Sequence, residues 1–500
     1  MRVRFPAAAV LLVAAVSGAS WSTPSAALAS SSVRPSGMPS CPPPTKQNQA
    51  HVTLPSSSAF LDHGVTGTLL NVTGHILAVL AGNGTIATVY DRGDLAGLRP
   101  GERVAAHGVM RQGLIYASAV RAAGGTPWPA RTTPVQPIGA IRHVIFIVQE
   151  NHSFDNYFGA YPGVRGLKAG IRLPQSPFSG REVAPFPLRG PINRDLAHTW
   201  AAAHLAYDRG RMNGFVYSDG TRLAMGYYTG RTIPNYWAYA AHFTLNDMFF
   251  APVMGPSLPN HLYTVAGSSG GYIWNMWEPP TPCAFHFPTV PGQFQAAGIG
   301  WRYYSGMNPQ KFWLWNPLPG FRAFQRSAAL RSHLAPSVRF FQDLRRGTLP
   351  TFSWITPNKI ESEHAPANNQ LGMWYVTDLL NAVGQSRYWN DTAVVVTWDE
   401  YGGWYDGVLP PKESPFGFGF RVPALVISPY ARSGYVNSRL LSFNSVLRYE
   451  EQLKGLAPVS PSVGVSNSIA SDLNMARKPL RPFLITAPLP SSAVPKPTLP

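Results

Sequence analysis

Between about residue 51 and residue 123 the apolar positions come in short alternating runs, "GVTGTLLNV", "HILAVLA", "GTIATVYD", "ERVAAHGVM" and "LIYASAVRA". Asn-Gly, Arg-Gly-Asp, Arg-Pro-Gly and Arg-Gln-Gly separate them. Alternation with period two fits strands with one buried face, and turn residues at this spacing fit hairpins. The segment 51–123 is therefore expected to be a small all-β module, barrel-like and OB-like in outline. From Ile141 the pattern changes. "HVIFIVQ", "TLNDMFF", "WRYYS", "TFSWITP", "TAVVVTWDE" and "PALVISP" alternate with helical stretches such as "DLAHTWAAAHLAYDRGRM" and "NQLGMWYVTDLLNAVGQSRYW". Runs with little polar interruption fit strands covered on both faces. Residues 141–456 are thus expected to form an α/β domain, a mostly parallel sheet with helices on both sides.

The flanking segments read differently. Arg2 and Arg4 precede the apolar run Ala7 to Val16, and Ala27-Leu28-Ala29 is a small-residue cleavage pattern, so residues 1–29 read as a secretory signal peptide. That run is shorter than the ~20 residues that span a bilayer, and no later segment reaches that length without Pro, Gly or charge. Export, to the cell envelope or beyond it, is the expectation. Pro-, Ser- and Gly-rich segments at 30–50 and 124–140 read as linkers, and 457–500 as a loosely attached tail. Cys41 and Cys283 make no disulfide framework, and whether they pair is open. The net charge of +17 is spread singly with no basic run, which favours anionic lipids or phosphorylated substrates over nucleic acid.

Candidate chemistry gathers at strand ends, where open α/β sheets place their ligands. Glu150 follows "VIFIVQ", and Asp399-Glu400 follows "AVVVTW". One acidic residue at a strand end is ordinary. Three on one sheet edge would repel one another by several kcal/mol, a cost that a divalent cation removes. Carboxylates with the amide carbonyl of Asn151 suit Mg²⁺, Ca²⁺ or Mn²⁺, and Zn²⁺ or Fe also bind carboxylates. In "APVMGPSLPNHLYTVAG", Ser257 stands where a helix N-cap would, either as a cap alone or as a hydroxyl aimed at a metal. His198 and His204 lie six residues apart, which is not one helix face, and His364 sits in a polar, Pro-bounded loop suited to a proton donor.

The stretches "IRHVIFIVQENHSFDNYFGAYPGV", "GPSLPN", "SEHAPA", "YWNDTAVVVTWDEYGGWYD" and "GFGFRVPALVISPYA" closely resemble the bacterial phosphoesterase family. That family holds non-haemolytic phospholipases C and a group of acid phosphatases, within the alkaline-phosphatase-like superfamily. The resemblance runs in motif order from about residue 141 to residue 450 and leaves 51–123 outside it. It implies an alkaline-phosphatase-like fold and one divalent metal ion. Glu150, Asn151, Asp399 and Glu400 are implied as its ligands. Ser257 is implied as nucleophile beside the metal, with Asn151, His364 and, less directly, His198 contacting the phosphoryl group. Three departures stand out. Gly407 follows "GGWYD" where His is frequent, Ser442 and Asn444 replace an Asp-His-Thr-like stretch, and His261 follows "GPSLPN" where Arg is common. They bear on substrate preference more than on the reaction.

The expected activity is a secreted, metal-dependent phosphoric ester hydrolase. Phospholipase C action on a phosphodiester competes with acid phosphatase action on monoesters. The aromatics Trp404, Tyr405, Phe416, Phe418 and Phe420 near the motifs tip the choice towards a phospholipid at a membrane surface. A non-catalytic binding protein that has kept the fold is a third reading, and retention of Ser257 and the acidic pair counts against it. A Cys/Ser-x-Pro-x-Arg signature is absent, which counts against a sulfatase.

Overall fold

The computed structural model describes residues 62–73, 76–81, 86–90, 103–111, 114–122, 140–178, 180–275, 285–411 and 418–498. The signal peptide, the linker at 30–50, nearly all of 124–140, Phe416 and both cysteines lie outside them. No helix of the described residues is long and apolar enough to cross a membrane.

Five strands, β1 (Asp62–Thr73), β2 (Ile76–Ala81), β3 (Ile86–Tyr90), β4 (Arg103–Arg111) and β5 (Leu114–Ala122), form a closed barrel in the order β1-β2-β3-β5-β4. The length of β1 makes closure feasible, because its two halves pair antiparallel with different partners, β2 and β4. Val104 and Ala106 are buried.

An eight-stranded sheet organises the rest. Its members are β6 (His143–Gln149), β7 (Thr244–Asn246), β8 (Trp301–Ser305), β9 (Leu334–Pro336), β10 (Phe352–Thr356), β11 (Thr392–Trp398), β12 (Ala424–Ile427) and β13 (Tyr435–Asn437). The order across the sheet is β9-β8-β10-β6-β11-β12-β7-β13. Every pairing from β9 to β11 is parallel, whereas β12 runs antiparallel to both neighbours. The sheet is mostly parallel but mixed.

Helices that matter here are α1 (Phe154–Phe158), α2 (Trp200–Tyr207), α3 (Ser257–Ala266), α4 (Val290–Ala296), α5 (Val338–Arg346), α6 (Asn369–Gly384) and α7 (Phe443–Lys454). Side chains alternate across a strand, so full burial of β10 and β11 requires cover on both faces. Trp354 Nε1 donates to Thr264 O of α3 at 2.8 Å, and Phe294 of α4 packs on Phe352 and Trp354. Tyr304, on the opposite face, packs on Phe340 of α5.

Three expectations change. "TLNDMFF" is not one strand: Thr244–Asn246 joins the sheet, while Phe249–Phe250 pairs with Leu441–Ser442. Asp247 sits at the break, its carboxylate accepting from Arg165 N at 2.9 Å and Ser438 Oγ at 2.7 Å. The helix expected from Asp195 starts only at Trp200, because the Thr199 side chain caps it by accepting from Ala202 N. It stops at Asp208 and Arg209, both with positive φ. The tail is not loosely attached. Asn381 of α6 exchanges two hydrogen bonds with the Ile485 backbone, Trp389 Nε1 donates to Leu480 O, and Phe483 stacks on His242. Prolines removed the periodicity that sequence reasoning looks for, without removing the backbone's capacity to dock.

Candidate active site

Strands β6 and β11 are parallel neighbours with Trp398 opposite Gln149, so the residues that follow them leave the sheet side by side. Asp399 N still donates to Gln149 O at 2.9 Å. Then both chains turn. Asn151 takes φ +62°, a left-handed conformation that Asn tolerates better than most residues. Its backbone N–H donates to Asp399 Oδ1 at 3.0 Å. Gly402, at φ +61°, folds the second chain back so closely that a Cβ there would lie 2.1 Å from Asn151 O. Only glycine permits this approach. Gly402 N–H in turn donates to Glu400 Oε2 at 2.8 Å.

Glu150, Asp399 and Glu400 are thereby brought together in the interior. Burial, then the neighbouring Asp399 and Glu400, push the Glu150 carboxyl well above its ordinary range. Burial and Asp399 do the same to Glu400. Two further details bear on a cation. As a carboxylate, Asp399 leaves Oδ2 buried with no donor among the described residues. The Asn151 side-chain amide stands 2.9 Å from Glu400 Oε1 and 3.1 Å from Asp399 Oδ1. With its nitrogen on that side the amide donates to both carboxylates and sets its oxygen 3.0 Å from His364 Nε2. With a cation among these oxygens, the opposite orientation, oxygen towards the carboxylates, would become the favourable one. This oxygen-rich set fits a divalent ion.

The turn before α3 explains "GPSLPN". Asn260 Oδ1 accepts from Val253 N at 2.9 Å, and its Nδ2 donates to Val253 O, Gly255 O and Pro256 O at 3.2, 3.3 and 3.0 Å. Asn260 thus holds the entire turn. Ser257 is the first residue of the helix rather than its cap, and Pro256 occupies the cap position. Freed from capping, the Ser257 hydroxyl acts on Glu150, where it favours the charged form of the carboxyl against burial. His261, one turn later on α3, is buried with Nε2 2.6 Å from Glu150 Oε1 and 3.7 Å from Asp399 Oδ2. Burial pushes its imidazole down to about 4.

Two histidines close the cluster from the other side. His198 Nδ1 donates to Leu196 O and His364 Nδ1 to Ala365 O, each at 2.6 Å. These bonds leave the lone pair on Nε2. His198 Nε2 lies 3.4 Å from Asn151 Nδ2 and 4.0 Å from Glu400 Oε1. The two rings meet edge to face, 5.5 Å apart. Asp195 stands 3.6 Å from His198 Nδ1, the nitrogen already given to Leu196 O, so it supports the ring's orientation. A small cavity beside Asn151 is lined by His152, Arg194, Asp195, Glu363 and Trp404 among others.

All the residues singled out from the strand ends, the "GPSLPN" turn and the "SEHAPA" loop therefore converge. His204 does not. It stacks on Trp200 on the outer side of α2 and donates to Trp200 O.

The description "Phosphoesterase family" matches residues 141–457, a span holding every residue of the cluster. The chain belongs to the Phosphoesterase family. Among curated members, the "Non-hemolytic phospholipase C" of Pseudomonas aeruginosa is 29% identical over 409 residues, 69% of this chain and 58% of that protein. The "Phospholipase C A" of Mycobacterium tuberculosis is 29% identical over 426 residues, 71% of this chain and 79% of that protein. The chain thus spans little more than half of the Pseudomonas relative. A solved protein of the alkaline phosphatase superfamily from Vibrio parahaemolyticus is a distant likeness, with TM-score 0.34 and 13% identity over 65% of this chain and 69% of that one.

Some contributors to the site were not foreseen. Asn260 and His261 carry a signal in hindsight, since His261 is four residues beyond Ser257 and so shares its helix face. Glu363 carries none. At φ +72° its buried carboxylate takes hydrogen bonds from Tyr157, Tyr236, Trp398 and Gln149, partners scattered across the chain. Burial nonetheless raises it to about 7. It anchors the loop that presents His364. Of the described aromatics expected to meet a substrate, Tyr405 and Phe420 pack on Phe215 in the core, and Trp404 lines the cavity.

Proposed function

We propose that this member of the Phosphoesterase family is an exported hydrolase of phosphoric esters that uses a divalent metal ion and Ser257 as nucleophile, with phospholipase C-type phosphodiesters as its preferred substrates. One observation carries the reading: Glu150, Asp399 and Glu400 are gathered in the interior, where burial and mutual repulsion hold the Glu150 and Glu400 carboxyls well above their ordinary range, with Ser257 at a helix start beside them. The names of the phospholipase C relatives agree with the substrate class.

Glu150, Asn151, Asp399, Glu400 and Ser257 would hold the ion, which when bound supplies positive charge against the phosphoryl oxygens and acidifies a serine hydroxyl. The chain's own residues do the rest. Ser257 Oγ gives up its proton to water and attacks phosphorus in line, the bond to the leaving oxygen breaks, and a phosphoserine forms that water later hydrolyses. The start of α3 favours the anionic group. Asn151 orients it. His198 and His364 present Nε2 to the site, so either one donates to the leaving alkoxide only when Nε2 as well as Nδ1 carries a proton.

The test is hydrolysis of a choline phosphodiester and of an aryl phosphate, each with and without chelator, followed by acid quench and mass analysis of the Ser257 peptide. Chelator-sensitive turnover and phosphate on Ser257 are expected. Turnover of Ser257→Ala above a few per cent of the unmodified rate would rule out the serine mechanism. A hundredfold preference for the monoester, ~2.7 kcal/mol in transition-state binding, would make the protein an acid phosphatase.

A further inference from the structure

The carboxylate cluster is built from two strand ends, whereas the proposed nucleophile arrives on a helix from elsewhere in the chain. One side chain joins the two. His261 lies four residues after Ser257 on α3, so both face the cluster. It is completely buried, its Nε2 2.6 Å from Glu150 Oε1 and 3.7 Å from Asp399 Oδ2. The short separation marks a hydrogen bond, in which Nε2–H is the donor once Glu150 is ionised to hold a cation. The possible ligand atoms of Glu150, His261 and Asp399 all lie within 4.8 Å of one another. Among the described residues His261 Nδ1 has no hydrogen-bond partner, so this contact and packing hold the ring there.

Resting on the metal and serine reading above, we propose that His261 is a positioning residue. It pins the nucleophile's helix to the metal cradle, and it does so without neutralising the cradle. A carboxylate that receives an N–H on one oxygen keeps its other oxygen directed elsewhere, which is how hydrogen bonds behind a metal site fix its ligands. Imidazole can make that donation as a neutral group. A guanidinium at the same place would bring a permanent positive charge against the carboxylates whose negative charge attracts the cation. The choice of His at 261 thus favours strong metal binding, and the same contact sets the distance between Glu150 and Ser257.

The experiment is calorimetric titration of metal-stripped full-length protein with Mn²⁺, comparing unmodified protein with His261→Gln, His261→Leu and His261→Arg. Gln retains an N–H donor of similar reach. The expected order of affinity is unmodified and Gln together, Leu weaker by about 10- to 100-fold, and Arg weaker still. The Mn²⁺-loaded protein should show no nitrogen coupling by electron spin echo that disappears in the Gln variant. Equal affinity in the Leu variant, with only thermal stability reduced, would reduce His261 to a packing residue and overturn the proposal. Nitrogen coupling lost in His261→Gln would overturn it differently, by making His261 a ligand. If unmodified protein binds no Mn²⁺ or other divalent ion, the metal reading itself falls and takes this proposal with it.

Discussion

Replacing Asn260 by Ala should damage both stability and catalysis, though Asn260 does not touch the carboxylates. Its side chain makes four hydrogen bonds to the backbone of 253–256, at 2.9, 3.0, 3.2 and 3.3 Å. Taking ~1 kcal/mol net for each of the two shorter bonds and about half that for the others gives ~3 kcal/mol. The alanine variant also strands the buried Val253 N–H, adding ~1–2 kcal/mol. The sum, about 4–5 kcal/mol, is a large fraction of the ~5–15 kcal/mol that holds a typical domain together. Urea unfolding followed by tryptophan fluorescence would read it as a lower midpoint at unchanged slope. In protein that remains folded, kcat should fall at least tenfold, because the turn that aims Ser257 has lost its template. Asn260→Asp separates the two halves of the argument. It keeps the acceptor for Val253 N–H but offers a carboxylate to three carbonyl oxygens, so it should be no better than Ala. A cost below about 1 kcal/mol for Ala, or a well-tolerated Asp, would refute the account of this turn.

Other outcomes follow from particular side chains. Asp399→Asn with Glu400→Gln should abolish stoichiometric metal binding, and elemental analysis showing unchanged metal would remove the cluster as the site. Arg421 is fully buried and donates to Asp155, Asp406 and the carbonyls of Arg165 and Asp247. Arg421→Met should therefore cost ~3–5 kcal/mol by stranding two carboxylates, which denaturant unfolding would show. Glu450 of α7 is buried with neither carboxyl oxygen hydrogen-bonded among the described residues, and burial raises it to about 8 although Lys454 Nζ stands 3.9 Å away. A group raised in the folded state adds stability below its unfolded value near 4.5 and loses it as pH climbs through about 8. Glu450→Gln should flatten that decline, gaining a few kcal/mol on unmodified protein between pH 5 and pH 9, in units of ~1.4 kcal/mol per pKa unit. Parallel stability curves for the two proteins would show that burial does not govern this carboxyl.

Much of the site could be read from local pattern, for a definable reason. A strand buried on both faces must be apolar throughout, so Glu150 after "VIFIVQ" and Asp399-Glu400 after "AVVVTW" stood out as polar groups where a core strand ends. Ser257 stood out because prolines bracket it at the start of a helical run. Periodicity also located β6, β8, β10 and β11 to within a residue or so. It failed at "TLNDMFF", where the hydrogen bonds of buried Asp247 decide that one apolar run serves two sheets. It failed again in the tail, whose docking depends on backbone groups that no side-chain pattern reports.

What the sequence determined by itself, then, is the set of elements and the residues at their ends, because hydrophobic period and turn chemistry act over a few neighbours. Which ends meet was decided only in three dimensions. The parallel pairing of β6 with β11 sets Gln149 opposite Trp398 across almost two hundred and fifty residues of chain, and this alone turns three unremarkable acids into one repelling cluster. The approach of Gly402 to Asn151, the four donors around Glu363 and the reach of His261 to Glu150 are likewise contacts between distant segments. Their energies come from burial and from pairing charges away from water, and neither exists until the chain has closed around them.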